Sequence, residues 1–398
     1  MKFSNRVLGI KNSPIRKLVP YADKAKEKGI KVIHLNIGQP DIQTPHDFLD
    51  AVRHYNVSVL EYADSRGMKR TLETMQLYLH NYGLEFNLDE ILITNGASEG
   101  LIFTMMALLD YGDEVLCIEP YYPNYATFVE MAGGKIVSMP SFIENGFKLP
   151  SKEEFEKKLS NKTKAILISS PSNPTGRVYT KEEMDTIVEL AKEHELFIIA
   201  DEVYREFNYI DRKFISFGDY EEIQDRVILL DSISKKYSAC GARIGSIASK
   251  NNDFIQHILK FCQARLSVST LDQIGAGAMD IVDDEYVYEN RRIYKKRRDV
   301  LHNRLINIEG IETSIPEGAF YNIVRLPIED AEHFIIWTLQ NVQIDGYTVL
   351  TTPAESFYTT PGYGKNEIRI SYCVNEEMIE KAMDVLELAL KEYKKAGF

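Results

Sequence analysis

Lys235 is the residue of this chain best placed to do chemistry, because it follows an apolar run at residues 227–230. Such a run predicts a buried strand, and the strands of an α/β sheet deliver the residues after them to the edge where ligands bind. An amine at that edge can form a Schiff base with a carbonyl compound. Ser232 and Arg243 flank it, and hydroxyl and guanidinium groups can hold a phosphate. Lys236 offers a second amine, so the two lysines are alternatives.

Two further segments place polar groups at the ends of predicted strands. Asp201 ends the apolar run at residues 196–200, where a carboxylate is costly unless it meets a cation. Asp201 is therefore a candidate partner for a cationic ligand group, with a helix cap or a structural ion pair as the alternative. Gly96, Ala97 and Ser98 join a strand to a helix, and the free N–H groups of a helix N-terminus favour a phosphate. Geometry and capping alone are the alternative for that turn.

Two turns and one strand add candidates for contacts to a planar, charged ligand. Tyr122, in Glu-Pro-Tyr-Tyr-Pro-Asn-Tyr, could stack on a flat ring or pack in the core. Asn173, in Ser-Pro-Ser-Asn-Pro-Thr-Gly, could present its amide to a ligand or form an ordinary Asn-Pro turn. Arg369 lies in an alternating stretch that predicts a strand, where an arginine is usually exposed to solvent.

These residues are positioned by alternating strands and helices. Strands are predicted at residues 91–94, 113–118, 135–139, 164–168, 196–200 and 227–230, with helices at 97–109, 125–132 and 181–194. Continuous apolar runs that alternate with helices predict an α/β fold, with a mostly parallel central sheet flanked by helices.

Both ends of the chain are predicted to form a smaller α+β domain. It would contain a helix at 19–28 and a strand at 32–35, then a long basic helix at 286–306, strands at 320–324 and 367–371, and a helix from 376 to about 395. We therefore divide the chain into an N-terminal arm with part of the small domain at 1–44, a large domain at 45–285 and a small C-terminal domain at 286–398.

The composition argues against nucleic acid and membrane partners. The chain has 398 residues and a net charge of −12, whereas phosphate backbones require clustered cations. We expect the basic run at 291–298 to be the solvated face of the long helix. No apolar stretch reaches the roughly 18 residues of a membrane span, and no signal peptide is apparent. The four cysteines form no C-x-x-C pair, which is typical of reduced thiols. We expect a cytoplasmic protein without a metal site.

Together the motifs resemble those of fold-type I enzymes that use pyridoxal 5′-phosphate (PLP), in particular class I and II aminotransferases of the aspartate aminotransferase type. The spacing S-x-x-K-x7-R is similar to the family's cofactor-lysine segment, and counting back from Arg243 selects Lys235 over Lys236. Residues 94–101 match the T-x-G-x-x-x-A/G-L motif, and residues 173–176 match N-P-T-G. The resemblance runs from about residue 13 to residue 377.

The resemblance implies that the large domain binds PLP as a Schiff base on Lys235. Tyr122 would stack on the cofactor ring, Asn173 and Tyr204 would bind its phenolic oxygen, and Asp201 would keep its ring nitrogen protonated. The groups implied for the cofactor phosphate are Gly96, Ala97, Ser98, Ser232 and Arg243.

The resemblance also implies how substrate and partner subunit bind. Arg369 would hold the α-carboxylate of an amino acid through two hydrogen bonds, and Gly38 would donate its N–H to the same group. Asn173 would also belong to the substrate-binding residues. Tyr62, in a Y-x4-G segment, would reach the phosphate in the neighbouring subunit. The expected assembly is therefore a homodimer with shared active sites.

The implied activity is amino acid aminotransfer from an L-amino acid to a 2-oxo acid, in amino acid metabolism and biosynthesis. Aspartate is the first candidate donor and 2-oxoglutarate the expected acceptor, with aromatic amino acids or alanine as alternative donors. A PLP-dependent C–S β-lyase would share the fold and these residues. A PLP-sensing regulator would need an added DNA-binding domain, which we do not expect here. Residues 352–358, Thr-Pro-Ala-Glu-Ser-Phe-Tyr, depart from the family's P-G-S-x-F-G turn near the substrate.

Overall fold

The structure, a computed structural model, describes residues 2–10 and 17–398. Its strands are β1 (Lys31–His34), β2 (Ile91–Asn95), β3 (Glu114–Glu119), β4 (Lys135–Pro140), β5 (Thr163–Ser169), β6 (Phe197–Asp201), β7 (Val227–Ser232), β8 (Ile244–Ala248), β9 (Glu312–Thr313), β10 (Tyr321–Arg325), β11 (Tyr347–Leu350), β12 (Thr352–Pro353) and β13 (Glu367–Ser371). Its helices are α1 (Asn5–Gly9), α2 (Val19–Glu27), α3 (His46–His54), α4 (Lys69–Asn81), α5 (Gly96–Leu108), α6 (Asn124–Met131), α7 (Lys152–Glu156), α8 (Lys181–Glu193), α9 (Ile233–Lys236), α10 (Asn252–Arg265), α11 (Thr270–Gly277), α12 (Asp284–Leu305), α13 (Ala331–Asn341) and α14 (Glu376–Lys395).

Within the described residues, seven strands form the central sheet in the order β2-β8-β7-β6-β5-β3-β4. Neighbouring strands from β7 to β4 are parallel, whereas β8 runs antiparallel to both β2 and β7. Apolar side chains fill both faces, in two separate buried clusters. The prediction of a mostly parallel sheet flanked by helices is confirmed, and within this sheet β8 was not predicted from the sequence; β9, β11 and β12 of the smaller sheets were not predicted either.

A second group of elements packs around smaller sheets. β10 lies between β13 and β9 in an antiparallel sheet whose other edge is β12, and β1 pairs in parallel with β11. Strands β1, β10, β11 and β13 share a third apolar cluster with helices α2, α12, α13 and α14. The smaller α+β unit predicted from both chain ends is therefore present. No helix among residues 2–10 and 17–398 is long and apolar enough to cross a membrane.

The basic run at 291–298 is only partly the solvated face that we expected. Arg297 and Arg298 are buried in α12. The guanidinium of Arg297 donates to both carboxylate oxygens of Asp41, at 2.6 and 3.0 Å, and Arg298 donates to the carbonyl oxygen of Pro316 at 3.0 Å. The expectation was wrong for these two arginines because each finds an acceptor on a distant segment. A charge run shows only the sequence neighbours and not such partners.

Candidate active site

A cavity of about 300 Å³ opens where several strands of the central sheet end. Strands β3, β5, β6 and β7 run in parallel, so the residues that follow them reach one edge of the sheet. Strand β13 and the segment after β1 cover that edge from the opposite side. Most of the residues selected from the sequence line the cavity, namely Gly38, Ala97, Ser98, Tyr122, Asn173, Asp201, Tyr204, Ser232, Lys235, Arg243 and Arg369.

Lys235 extends into the cavity from the short helix α9. Ser232, the last residue of β7, accepts a hydrogen bond from the backbone N–H of Ser234 and so begins this helix. The Nζ of Lys235 donates to the carbonyl oxygen of Gly38 at 2.7 Å.

Lys236 lies outside the cavity lining. It is buried, its Nζ lies 2.7 Å from the Oδ2 of Asp231 and 3.0 Å from the ring centre of Tyr78, and burial lowers its pKa. The ion pair with Asp231 and the contact with the Tyr78 ring hold the ammonium group of Lys236 on the side of α9 that faces away from the cavity. The geometry therefore selects Lys235 as the lysine that can meet a ligand, in agreement with the spacing argument.

The N-terminus of α5 and Arg243 form a cradle for an anion. The side chain of Asn95, at the N-cap, makes no capping hydrogen bond, so backbone N–H groups of the first turn are left for a ligand. Arg243 adopts a left-handed backbone conformation, with φ of 56°. A Cβ atom added to Gly96 would lie 2.4 Å from the Nη2 of Arg243, so only glycine permits this close approach. Helix dipole and guanidinium together favour a phosphate. Gly96 thus shapes the cradle although it does not line the cavity.

Two serines stand between this cradle and Lys235. The Oγ of Ser232 lies 2.8 Å from the Oγ of Ser234 and 2.8 Å from the carbonyl oxygen of Ile244. Ser234 also lines the cavity, and the sequence analysis missed it. The position of Ser234 directly before Lys235 could have indicated a role in the site, but a serine next to a lysine is too common to predict one by itself.

Asp201 lies at the end of β6, at the floor of the cavity. Burial raises the pKa of its carboxyl group to about 6, and the hydroxyl of Tyr125, which donates to its Oδ2 at 2.6 Å, opposes that shift. Tyr125 was not selected from the sequence, although it belongs to the same motif as Tyr122 and packs edge-on against it. A buried carboxylate without a cationic partner within salt-bridge distance, among the described residues, is suited to a cationic ligand.

Without any ligand, Asp201→Asn is expected to stabilise the protein at neutral pH. The raised folded-state pKa means that Asp201 contributes stability below about pH 4, which is lost as the pH rises through about 6. Asparagine stays neutral at every pH. The free energy of unfolding of the variant at pH 7.5 should therefore exceed that of the wild type by on the order of 2–3 kcal/mol.

Denaturant unfolding of both ligand-free proteins from pH 4 to pH 8 measures this difference. Tyr125→Phe is the matched control, since it removes the opposing hydrogen bond and leaves the carboxyl group. An Asp201→Asn variant that is less stable than the wild type at pH 7.5 would contradict the argument.

Tyr321 connects two sides of the cavity and was missed by the sequence analysis. Its hydroxyl lies 2.9 Å from the hydroxyl of Tyr204. A Cβ atom added to Gly38 would lie 1.7 Å from the same oxygen, which explains why glycine occupies that position. The sequence showed Tyr321 only as one residue of an apolar strand, and nothing in that pattern indicates which face it occupies.

Arg369 is buried to 2% exposure and has no acidic partner within salt-bridge distance in the part of the chain that the structure describes. Its Nη2 donates to the carbonyl oxygen of Asn36 at 2.7 Å and its Nη1 to the Oδ1 of Asn173 at 3.3 Å, whereas its Nε has no partner. The rings of Tyr321 and Phe357 lie 4.6 and 5.2 Å from its Cζ. A buried, unneutralised guanidinium that lines a cavity is suited to bind a carboxylate.

Tyr62 is the selected residue that lies away from the cavity. Its side chain is 81% exposed, and Val57, Val59 and Leu60 beside it are exposed as well. A run of exposed apolar side chains of this kind is typical of a surface that another chain covers. The exposure of Tyr62 is compatible with a contact to a neighbouring subunit, and that contact stays a prediction.

Comparison with known proteins extends these observations. The family model for class I and II aminotransferases matches residues 30–386. The "Probable aspartate/prephenate aminotransferase" of Aquifex aeolicus is 32% identical over 395 residues, which cover 98% of each chain. The "(5-formylfuran-3-yl)methyl phosphate transaminase" of Methanocaldococcus jannaschii is 34% identical, over 96% of this chain and 97% of that protein. A solved structure of an alanine aminotransferase from Pyrococcus furiosus is similar with a TM-score of 0.90 and 31% identity, over 98% of this chain and 100% of that one.

Proposed function

Because the chain belongs to the class I and II aminotransferase family, we propose that it moves the amino group of L-aspartate to 2-oxoglutarate. The chain is a PLP-dependent aminotransferase of fold type I, with an amino acid and a 2-oxo acid as its substrates. Aspartate is placed first because the Aquifex aeolicus relative is named for it. Some relatives carry the names of other substrates, among them an aromatic-amino-acid aminotransferase and an alanine aminotransferase, so aromatic amino acids and alanine stay as alternative donors.

Arg369 is the single observation that carries the proposed substrate class. It supplies a buried planar cation without an anionic partner among the described residues. A guanidinium binds a carboxylate through two parallel hydrogen bonds. An amino acid held in this way would present its amino group and Cα toward Lys235, which lines the same cavity. We also propose amino acid biosynthesis in the cytoplasm as the setting, as the sequence predicts.

The residues of the cavity fit PLP. The close contact of Gly96 with Arg243 forms a cradle for a phosphate, and the buried carboxyl group of Asp201 suits the protonated ring nitrogen. Lys235 would attach the aldehyde, Tyr122 would stack on the ring, and Tyr204 and Asn173 would bind the phenolic oxygen. When bound, PLP supplies an electron sink for the electrons that remain at Cα after a proton leaves.

The protein side chains bind the substrate and move its proton. Arg369 and the N–H of Gly38 would fix the α-carboxylate, and this determines which bond at Cα is correctly oriented for cleavage. Lys235 would act as the general base that takes the Cα proton. Tyr321 would support both the carboxylate site and the cofactor site, because its ring packs against Arg369 and its hydroxyl contacts that of Tyr204.

A panel of amino donors mixed with the holoenzyme in the absence of an oxo acid tests the proposed activity. Conversion of the bound cofactor to its amine form, followed by absorbance, should be fastest with aspartate. If an aromatic amino acid or alanine converts the cofactor faster than aspartate does, that amino acid is the preferred donor and the assignment of aspartate is wrong. Release of pyruvate and ammonia from a cysteine conjugate, without any oxo acid, would instead support the C–S β-lyase alternative.

We also propose a homodimer in which Tyr62 of each subunit completes the phosphate site of the other. The support is the exposure of Tyr62 and its apolar neighbours. Sedimentation of the holoenzyme should give twice the mass of the chain, and Tyr62→Phe should weaken PLP binding roughly tenfold, through loss of one charge-assisted hydrogen bond. Tyr111, which is 97% exposed, gives the control variant Tyr111→Phe. A monomer that binds PLP with unchanged affinity in Tyr62→Phe would contradict the proposal.

A further inference from the structure

Glu119 is a fully buried carboxylate at the end of β3. It has no basic side chain within salt-bridge distance in the described part of the chain. A buried charge of this kind persists only where hydrogen-bond donors replace the water that it has lost. The partners of Glu119 therefore show what this charge does.

Among the described residues, the donors to the carboxylate of Glu119 all come from one distant segment, residues 354–360. The backbone N–H groups of Thr359 and Thr360 donate to its Oε2 at 2.7 and 3.2 Å, and the hydroxyl of Thr360 donates to its Oε1. This segment includes the part of the sequence that departs from the family's turn motif. Three charge-assisted hydrogen bonds, which are stronger than neutral ones, thus hold it against the end of β3.

Tyr121, two residues after Glu119, makes two more contacts with the same segment. The backbone N–H of Tyr121 donates to the carbonyl oxygen of Phe357 at 2.9 Å, and its hydroxyl lies 2.5 Å from the Oγ1 of Thr359. The next residue, Tyr122, lines the cavity. One short stretch therefore carries both the attachment of the 354–360 segment and the ring that would face the cofactor.

At its other end the 354–360 segment supports Arg369. Phe357 is fully buried, and its ring lies 5.2 Å from the Cζ of Arg369. The backbone N–H of Ala354 donates to the carbonyl oxygen of Glu367, in the same strand as Arg369. Besides the hydrogen bonds of its Nη atoms to Asn36 and Asn173, the guanidinium plane of Arg369 is held by the rings of Tyr321 and Phe357.

We propose that Glu119 is a positioning residue for substrate binding, which orients Arg369 toward the α-carboxylate through the 354–360 segment and Phe357. The proposal rests on the function proposed above, in which Arg369 binds that carboxylate. Loss of the carboxylate charge at position 119 weakens three hydrogen bonds together. The segment then holds Phe357, and with it the plane of the guanidinium, less firmly.

Glu119→Gln tests this role with the holoenzyme and a substrate analogue that binds but cannot react. An α-methyl amino acid serves as the probe, because it has an α-carboxylate and no hydrogen at Cα. Its dissociation constant follows from the change in cofactor absorbance on titration. We expect binding to the variant to be at least about tenfold weaker and KM for the amino donor to rise, with kcat reduced less than threefold.

Three comparisons separate positioning from a general loss of structure. Glu114→Gln changes the same residue type at the opposite end of β3 and should leave the dissociation constant within twofold. Thr360→Val removes one donor and should weaken binding less than Glu119→Gln does. The affinity for PLP should stay unchanged in all three variants, since the phosphate cradle shares no contact with Glu119.

The outcome that overturns the proposal is a Glu119→Gln enzyme that unfolds at a lower temperature but binds the analogue as the wild type does. Glu119 would then serve the fold alone. If the variant cannot be purified folded, Thr360→Val and Tyr121→Phe carry the test, and unchanged analogue binding in both would equally refute it. A wild-type enzyme that binds no α-methyl amino acid would refute the proposed function and not the role of Glu119 specifically.

Discussion

Lys235→Ala is expected to lower kcat by at least about 10⁴-fold, the largest effect of any single substitution in the chain. General base catalysis alone contributes about 10²–10⁴-fold, and the variant also loses the amine that would attach the cofactor. The absorption band of the covalently held cofactor should disappear. The hydrogen bond from Nζ to the carbonyl oxygen of Gly38 is lost, but Lys236 keeps its ion pair with Asp231, so the fold should persist.

Lys235→Arg is the matched control for the role of charge. It keeps a cation in the cavity, but an arginine does not lose its proton in proteins and cannot act as a base. We expect it to be as inactive as the alanine variant, and added methylamine should restore part of the turnover only in Lys235→Ala. Turnover above a tenth of the wild-type value in either variant would assign the base to another residue.

Arg369→Met is expected to reduce kcat/KM by about 10³-fold, the second largest effect. The variant loses two charge-assisted hydrogen bonds to the substrate and the orientation of Cα that depends on them, so KM should rise and kcat should fall together. Methionine has a similar length and can fill the space between Tyr321 and Phe357. Because Arg369 is a buried cation without an acidic partner among the described residues, its removal should not lower the melting temperature of the ligand-free protein.

Arg369→Lys separates charge from geometry. Lysine keeps the cation but has no planar fork, and the carboxylate of the substrate would meet one ammonium in place of two parallel N–H groups. We expect a loss of about 10- to 100-fold in kcat/KM, between the wild type and Arg369→Met. An unchanged kcat/KM in the methionine variant, measured with the best donor of the panel, would mean that the α-carboxylate binds elsewhere.

Residues whose chemistry follows from a strand end or a motif could be predicted from the sequence. Asp201 and Lys235 follow apolar runs, and parallel strands bring such residues to one edge, as the structure shows for both. The resemblance of the spacing to Arg243 to the family's cofactor-lysine segment likewise selected one of two adjacent lysines. The pattern along the chain contains this information because strand, turn and helix succeed one another within a few residues.

Residues that act through a distant partner could not be predicted. Tyr321 was predicted only as part of a strand and Phe357 only as part of a turn, and their contact with Arg369 depends on how β10 and the 354–360 segment meet β13. Strand β8 was missed because its antiparallel pairing with β2 and β7 breaks the alternation from which the sheet was predicted. The burial of Arg297 depended on Asp41, more than 200 positions away in the chain. Such pairings are a property of tertiary packing, which local sequence periodicity does not specify.

The ion pair of Lys236 with Asp231 has a consequence for how this part of the chain can vary. Lys236 is buried against Asp231 and Tyr78, while the lysine before it enters the cavity. An insertion or deletion of one residue after β7 would rotate α9 by about 100°, withdrawing the reactive amine and exposing the anchored one. Natural or engineered diversity should therefore appear in this segment as side-chain replacements, and its length should stay constant.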